Sequence, residues 1–253
     1  MIQTFLPGEA DRIIDDRGRD STQSQRHDTA RGGQAEGTMW VKICGVRDVA
    51  TAMLVAEAGG DAVGLNFYPK SARYVAPEHA RDIVSRLPKF VEPVGLFVNA
   101  SVDDIRKTAH NCGLRTLQLH GDEPPELMAE LREFRLLRAF RVGSEGLAEL
   151  DAYLDRLTEL QVPLWGCLVD AKVDGVYGGT GERAPWELLA SEWTLRSRPP
   201  LILAGGLTAA NVAAAVGMCA PWGVDVAGGV EAAPAVKDPR LVRLFCENAR
   251  SVS

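Results

Sequence analysis

Short apolar runs that are typical of buried strands alternate with helical patterns from residue 39 to the end of the chain. This alternation constrains the fold more than any other feature, because strands separated by helices pair in parallel within one sheet. Eight strand–helix units follow one another. The predicted strands are 41–44, 62–67, 94–98, 116–121, 136–142, 165–169, 201–204 and 224–226. Asp48 is predicted to cap the helix after the first strand, and the helix after the seventh strand is predicted to begin at Thr208.

Two architectures accommodate this alternation, an open doubly wound sheet and a closed parallel barrel. The open sheet usually carries a G-x-G-x-x-G pattern in its first strand–helix turn. Here that turn reads Cys44-Gly45-Val46, so the pattern is absent. Eight strands, each followed by a helix, are the arrangement of a (β/α)8 barrel, also called a TIM barrel. We therefore predict an α/β fold with a single (β/α)8 barrel over residues 39–253.

Residues 1–38 are rich in Asp, Arg, Gln, Ser and Gly, and they show neither strand nor helix periodicity. A segment with so little apolar surface cannot offset the entropy cost of folding, so we predict a disordered leader. Its aspartates argue against an organelle transit peptide, which is poor in acidic residues. Met39 directly precedes the first strand and is an alternative start of translation.

The overall composition excludes several classes of protein. The chain has 253 residues and a formal net charge of -6, which argues against non-specific binding to nucleic acid or to an anionic membrane. No apolar run reaches the length of a membrane span. The 5 cysteines include no pair at C-x-x-C spacing, so neither a zinc site nor a redox pair is predicted. Unpaired cysteines in apolar runs fit a cytoplasmic location.

In a barrel of this type the active site lies at the carboxyl ends of the strands. Cys44 ends the first predicted strand and Asp170 ends the sixth. Alone, the cysteine is typical of a core residue and the aspartate of an acceptor for loop amides. Together at one barrel mouth they form a potential base and acid. Lys42 shares the face of the strand on which Cys44 lies, so we expect it to lower the pKa of the thiol.

Other polar side chains are expected near the same mouth. His120 follows the fourth strand, and Gln118 lies two residues before it. Histidine at such a position is more often a structural hydrogen-bonding residue than a catalyst, so both are secondary candidates. Arg73 lies in the loop 68–74 after the second strand. An arginine in an exposed loop is usually solvated, but it can bind a carboxylate through two parallel hydrogen bonds.

Glycine clusters follow the last three strands. They are Gly178-Gly179-Thr180-Gly181, Gly205-Gly206 and Gly228-Gly229. Each one alone is typical of a turn. The loops after strands seven and eight are, however, where barrels commonly bind a phosphate through exposed backbone N–H groups. We therefore predict a small phosphorylated substrate.

Several of these motifs occur in the same order in one known family. The stretches that carry the similarity are Val41–Gly45, Phe67–Ser71 with Arg73-Tyr74, Gly95–Asn99, Gln118–Glu123, Leu168–Asp170, Gly178–Gly181, Leu203–Leu207 and Val224–Val226 with Gly229–Glu231. Over essentially residues 39–250 the chain resembles the phosphoribosylanthranilate isomerases of tryptophan biosynthesis.

The resemblance implies an enzyme that converts N-(5-phosphoribosyl)anthranilate to 1-(2-carboxyphenylamino)-1-deoxyribulose 5-phosphate, an Amadori rearrangement, without a cofactor or a metal. It implies that Asp170 is the general acid that opens the ribose ring and that Cys44 is the general base at C2. The implied substrate contacts are Arg73 with the carboxylate, Gly205, Gly206, Gly228 and Gly229 with the phosphate, and a closing loop that contains Gly179, Thr180 and Gly181. The implied oligomeric state is a monomer or a homodimer.

Three positions depart from the family pattern. Glu182 stands where a lysine is expected, followed by Arg183, and Ala227-Gly228 replaces a pair of serines. The loss of the serine hydroxyl groups leaves the backbone N–H groups in place. We therefore expect weakened or rearranged phosphate contacts, but not their loss, at the turn after the eighth strand.

Two other functions are compatible with much of this sequence. The isomerase of histidine biosynthesis acts on a similar phosphoribosyl substrate with the same chemistry, but it is expected to have an aspartate in place of Cys44. A barrel that binds a phosphorylated ligand without catalysis is an alternative from another class of protein. The presence of both Cys44 and Asp170 argues against it.

Overall fold

The computed structural model describes residues 39–143, 145–171 and 184–252. The predicted leader over residues 1–38 lies outside this part of the chain, and so does the predicted loop of Gly179, Thr180 and Gly181. The domain boundary before Met39 therefore stays a prediction.

The eight predicted strands form a closed, all-parallel barrel in the order of the sequence. The barrel closes where the first strand pairs with the eighth, with Lys42 opposite Asp225. This confirms the predicted fold class. The strands are β1 (Trp40–Cys44), β2 (Ala62–Asn66), β3 (Glu92–Phe97), β4 (Thr116–Leu119), β5 (Arg135–Val142), β6 (Gly166–Ala171), β7 (Leu201–Leu203) and β8 (Gly223–Val226).

A helix follows each strand of the barrel. The helices are α1 (Val49–Glu57), α2 (Pro77–Arg86), α3 (Val102–Cys112), α4 (Pro125–Glu130), α5 (Ala148–Glu159), α6 (Trp186–Glu192), α7 (Val212–Cys219) and α8 (Pro239–Arg250). Asp48 caps α1 as predicted, because its side chain accepts a hydrogen bond of 2.7 Å from the N–H of Thr51. In the described ranges, no helix has the length and apolar character needed to cross a membrane.

The start of α7 differs from the prediction. The sequence predicts a helix from Thr208, but the helix begins at Val212. The N–H of Thr208 donates to the Asn211 side chain at 2.7 Å, and Asn211 donates back to the carbonyl of Gly206 at 2.9 Å. These side-chain bonds stabilise a turn in place of the first helical turn.

A short antiparallel hairpin after β8 was not predicted. It pairs β9 (Glu231–Ala233) with β10 (Val236–Lys237). Strands of this length show no periodicity that a sequence reading can detect. The hairpin brings Glu231 and Lys237 together, and both side chains reach the barrel mouth described below.

The amino end of the barrel is filled by aromatic residues. Trp40 is buried, stacks on Trp222 at a centroid distance of 5.1 Å and meets Trp165 edge-on at 5.5 Å. Above this cluster the interior is packed with aliphatic side chains, among them Val94, Leu137, Leu168 and Ile202. Because the amino end is filled, the polar inward-facing residues lie at the carboxyl end.

We predict that Gly229→Ala destabilises the barrel by about 1–3 kcal/mol, because a Cβ atom there would overlap the carbonyl of Leu207 and lie 3.1 Å from Cα of Thr208. Equilibrium unfolding in urea measures the difference. The matched control is Gly217→Ala in α7, where no atom lies within 4 Å of the added Cβ. The control is expected to stabilise the helix by up to ~1 kcal/mol. Equal stability of Gly229→Ala and the wild type would contradict the close contact between the turns.

Candidate active site

Cys44 and Lys42 lie side by side on the inner face of β1. Alternation along the strand points both side chains into the barrel, where Lys42 is 0% exposed and Cys44 is 6% exposed. Their neighbour on β2 is Gly64, the register partner of Cys44. A Cβ atom on Gly64 would lie 2.7 Å from Sγ of Cys44 and 3.1 Å from Nζ of Lys42. The absence of a side chain at Gly64 therefore provides the space for the thiol and the ammonium group.

Lys42 is fixed by an ion pair with β8. Its Nζ donates to Oδ1 of Asp225 at 2.8 Å, and both side chains are buried. Burial opposes the charge of Lys42, but the neighbouring Asp225 carboxylate and Cys44 thiol outweigh it and raise its pKa. Lys42 therefore stays protonated beneath the thiol.

The electrostatic setting of Cys44 differs from the expectation of a lowered pKa. Burial raises the pKa of the thiol, and Asp225 adds to the rise, whereas Lys42 and Lys237 lower it. The balance is a raised pKa, because desolvation of a thiolate in the barrel interior outweighs the attraction of the two cations. Lys42 lowers the pKa of the thiol, as predicted, but burial raises that pKa by more than Lys42 lowers it.

Arg73 reaches the mouth from the loop after β2 and lies over Gly45, the residue that follows Cys44. A Cβ atom on Gly45 would lie 2.5 Å from Cδ of Arg73. The guanidinium donates from Nε and Nη2 to the two oxygens of Glu231 at 2.7 and 2.8 Å. Its side chain is 20% exposed, so one part of the group remains open to solvent. The exposed loop arginine of the sequence prediction is in fact half-buried in an ion pair.

Glu231 and Lys237 were missed by the sequence analysis. Nζ of Lys237 donates to Oε1 of Glu231 and to the carbonyl of Ala227, both at 2.9 Å. The two residues lie on the unpredicted hairpin, and Glu231 is 158 positions from Arg73. Two signals for Glu231 were available, its position directly after the glycine turn of β8 and its place in the stretch Gly229–Glu231 that carries the family resemblance.

Asp170 lies near the carboxyl end of β6, and its side chain is 9% exposed. β6 and β1 are separated by β7 and β8 in the closed barrel. Cys44 and Asp170 therefore border the mouth from different sides. This arrangement allows a base and an acid to act on separate atoms of one substrate.

His120, one of the two secondary candidates, lies beside Asp170, and Gln118, the other, contacts His120. Nε2 of Gln118 lies 3.0 Å from Nδ1 of His120, and Nε2 of His120 lies 3.6 Å from Oδ2 of Asp170. The second distance is too long for a hydrogen bond. Within the described ranges, Nε2 of His120 and Oε1 of Gln118 are buried polar atoms without a hydrogen-bond partner. Both atoms can therefore bind a polar group of a ligand.

The two glycine turns of the predicted phosphate site contact one another. Gly205 and Gly206 follow β7 with φ angles of 78° and 61°, which favour glycine. Gly228 and Gly229 open a single 3-10 turn after β8, and Gly229 packs on the Leu207 carbonyl. The turns thus form one surface of bare backbone. Among the described residues, no group of three or more His, Cys, Asp or Glu side chains is placed to hold a metal ion.

Comparison with known proteins gives a consistent result. Residues 41–248 match the family model described as N-(5'phosphoribosyl)anthranilate (PRA) isomerase. The enzyme of that name from Geotalea uraniireducens is 43% identical over 212 residues, which cover 84% of this chain and 98% of the relative. The crystal structure of phosphoribosyl anthranilate isomerase from Thermotoga maritima is 37% identical, with a TM-score of 0.73 over 83% of this chain and 98% of that one.

A further similar structure contains a ligand. It is phosphoribosyl anthranilate isomerase in complex with reduced 1-(o-carboxyphenylamino)-1-deoxyribulose 5-phosphate, 36% identical, with a TM-score of 0.71 over 83% of this chain and 98% of that one. The family model covers most of the chain and the curated relative is matched over nearly its full length. The chain belongs to the N-(5'-phosphoribosyl)anthranilate isomerase family.

Proposed function

We propose that this chain catalyses the conversion of N-(5-phosphoribosyl)anthranilate to 1-(2-carboxyphenylamino)-1-deoxyribulose 5-phosphate, a step of tryptophan biosynthesis. Membership of the family supports the reaction. The observation that carries the mechanism is the placement of Cys44 on β1 and Asp170 on β6, on two sides of one barrel mouth. The histidine-pathway alternative, for which an aspartate is expected at position 44, finds no support in the family match.

The proposed reaction is a sequence of proton transfers that needs no oxidant or reductant. Asp170 donates a proton to the ribose ring oxygen, so the bond from C1 to that oxygen breaks and an iminium forms between C1 and nitrogen. The Cys44 thiolate removes the proton from C2, and the electron pair moves through C1 to the nitrogen. The resulting enol then loses its hydroxyl proton while C1 gains one, which gives the ketose.

Lys42 acts in this scheme as the counter-charge of the thiolate. Its ammonium lies against the same Gly64 surface as Sγ of Cys44 and is held by Asp225. A cation in a buried site stabilises an adjacent anion more strongly than it would in water. We propose that His120 and Gln118 bind ribose hydroxyl groups, because each has a buried polar atom without a hydrogen-bond partner among the described residues, and His120 lies beside Asp170.

The two ends of the substrate are anchored separately. We propose that Arg73 binds the anthranilate carboxylate, because its side chain is fixed at the mouth and partly exposed. The phosphate is assigned to the backbone of Gly205, Gly206, Gly228 and Gly229, and the loop with Gly179, Thr180 and Gly181 is assigned to closure over the substrate. Anchoring at both ends positions C1 and C2 between the acid and the base.

The expected assembly is a monomer or a homodimer, and the expected location is the cytoplasm. A dimeric form is attributed to the Thermotoga maritima relative. All 5 cysteines lie in the described part of the chain, where they are buried and form no disulfide. Buried thiols outside disulfides suit a reducing compartment.

The direct test is fluorescence-monitored consumption of phosphoribosylanthranilate by the purified protein. We predict that Cys44→Ser and Asp170→Asn each lower kcat by about 10²–10⁴-fold, because each removes one proton-transfer group. Binding of the reduced product analogue is expected to change little, since neither group anchors the carboxylate or the phosphate. A wild-type protein that binds the analogue without consuming substrate would identify a non-catalytic barrel. Near-wild-type turnover of both variants would refute the mechanism.

The pH dependence of kcat/KM tests the role of Lys42. Only the thiolate is a base, so activity rises as pH increases through the pKa of Cys44. Loss of Lys42 alone would leave Asp225 buried and unpaired, so the test uses Lys42→Met/Asp225→Asn. Lys42 lowers the pKa of the thiol more than Asp225 raises it. The rising limb of the double variant is therefore expected at higher pH than that of the wild type. An unmoved limb would show that another group titrates.

A further inference from the structure

Among the described residues, only one edge of the Arg73 guanidinium is occupied. Nε and Nη2 form parallel hydrogen bonds to Oε1 and Oε2 of Glu231, at 2.7 and 2.8 Å. No described residue accepts a hydrogen bond from Nη1. The guanidinium is planar and has a second edge, formed by Nη1 and Nη2, that can bind another carboxylate.

Glu231 is itself rigidly held. Its side chain is 5% exposed, and Nζ of Lys237, at 1% side-chain exposure, donates to its Oε1 at 2.9 Å. Burial alone would raise the pKa of Glu231, but hydrogen bonds from Arg73 and Lys237 lower it to about 2. The carboxylate is therefore ionised at neutral pH. Because the same Lys237 ammonium binds the Ala227 carbonyl, Glu231 is tied to the turn after β8.

The position of Arg73 depends on this contact. Its aliphatic part packs on Gly45, and its Nη2 would lie 3.3 Å from a Cβ atom on Gly228. Glycine at both positions gives the side chain space. A free arginine side chain would populate several rotamers, and fixing one of them costs conformational entropy. The ion pair with Glu231 fixes one rotamer before any ligand binds, so ligand binding does not have to restrict the side chain.

We propose that Glu231 is a positioning residue for carboxylate recognition: it holds Arg73 so that the Nη1–Nη2 edge is presented to the aromatic carboxylate of the substrate. The inference rests on the proposed function and extends it to specificity. With one edge occupied, the site accepts a carboxylate in one orientation, which fixes the aromatic ring relative to Cys44. If Glu231 only anchored the hairpin, its replacement would weaken the binding of ligands with and without a carboxylate equally.

The test compares two ligands by calorimetry, the reduced product analogue and its counterpart without the carboxylate. For Glu231→Gln we expect about tenfold weaker binding of the carboxylate analogue, because Arg73 is no longer held by a charged partner. Binding of the decarboxylated analogue is expected to stay unchanged. In turnover, KM is expected to rise by a similar factor, with kcat changed far less.

A double-mutant cycle with Arg73→Met shows whether Glu231 acts through Arg73. In the Arg73→Met background, Glu231→Gln should not weaken the binding of the carboxylate analogue any further. The matched control is Glu133→Gln in the turn after α4, which removes an exposed partner of Arg106 on α3 at 2.8 Å. The control should bind both analogues like the wild type, since exposed ion pairs contribute little.

Either of two results would overturn the inference. One is equal weakening of both analogues by Glu231→Gln, which would indicate a structural role of the hairpin. The other is an additive effect with Arg73→Met. Failure of the proposed function is distinguishable from failure of this inference. It would appear as an absence of turnover by the wild type, whereas the inference is judged by the dissociation constants of the two analogues.

Discussion

The buried ion pair between Lys42 and Asp225 joins the first and the last strand of the barrel. The two residues are register partners on β1 and β8, and their 2.8 Å contact lies where the sheet closes on itself. Removal of one partner of a buried pair typically costs ~3–5 kcal/mol, because the other charge is left unpaired. The same ammonium lies beside the Cys44 thiol. Closure of the barrel and the electrostatics of the site therefore depend on one contact.

The fold was readable from the sequence because each strand and helix carries its own periodicity. The eight apolar runs correspond to the eight strands, and Asp48 was identified as a cap from its position alone. The errors occur where a few side-chain hydrogen bonds replace a regular pattern, or where an element is too short to show one. Asn211 holds a turn where helix was predicted, and β10 spans only Val236–Lys237.

The site was readable only in part, for a related reason. Cys44 and Asp170 were found because the topology of a parallel barrel brings all carboxyl strand ends to one mouth. The pairing of Arg73 with Glu231 joins the loop after β2 to the hairpin after β8, 158 positions away in the sequence, and no local pattern encodes such a contact. The direction of the pKa shift of the Cys44 thiol also escaped prediction. It depends on the balance between burial and nearby charges, which only the packed structure defines.

The charges around Cys44 form two groups. In one, Asp225 binds Lys42; in the other, Glu231 bridges Arg73 and Lys237. The thiol lies beside Lys42, and Arg73 packs on the next residue, Gly45.

Three cations and two anions leave one positive charge, which a thiolate neutralises. Glu231 has a decisive place in this arrangement, because an uncompensated Arg73 would be attracted to the Cys44 thiolate. With Glu231 as its partner, Arg73 is kept available for the substrate, and Lys42 is the main cation that stabilises the thiolate. Because each carboxylate holds its own cations, a single mouth can both recognise a carboxylate and keep a base.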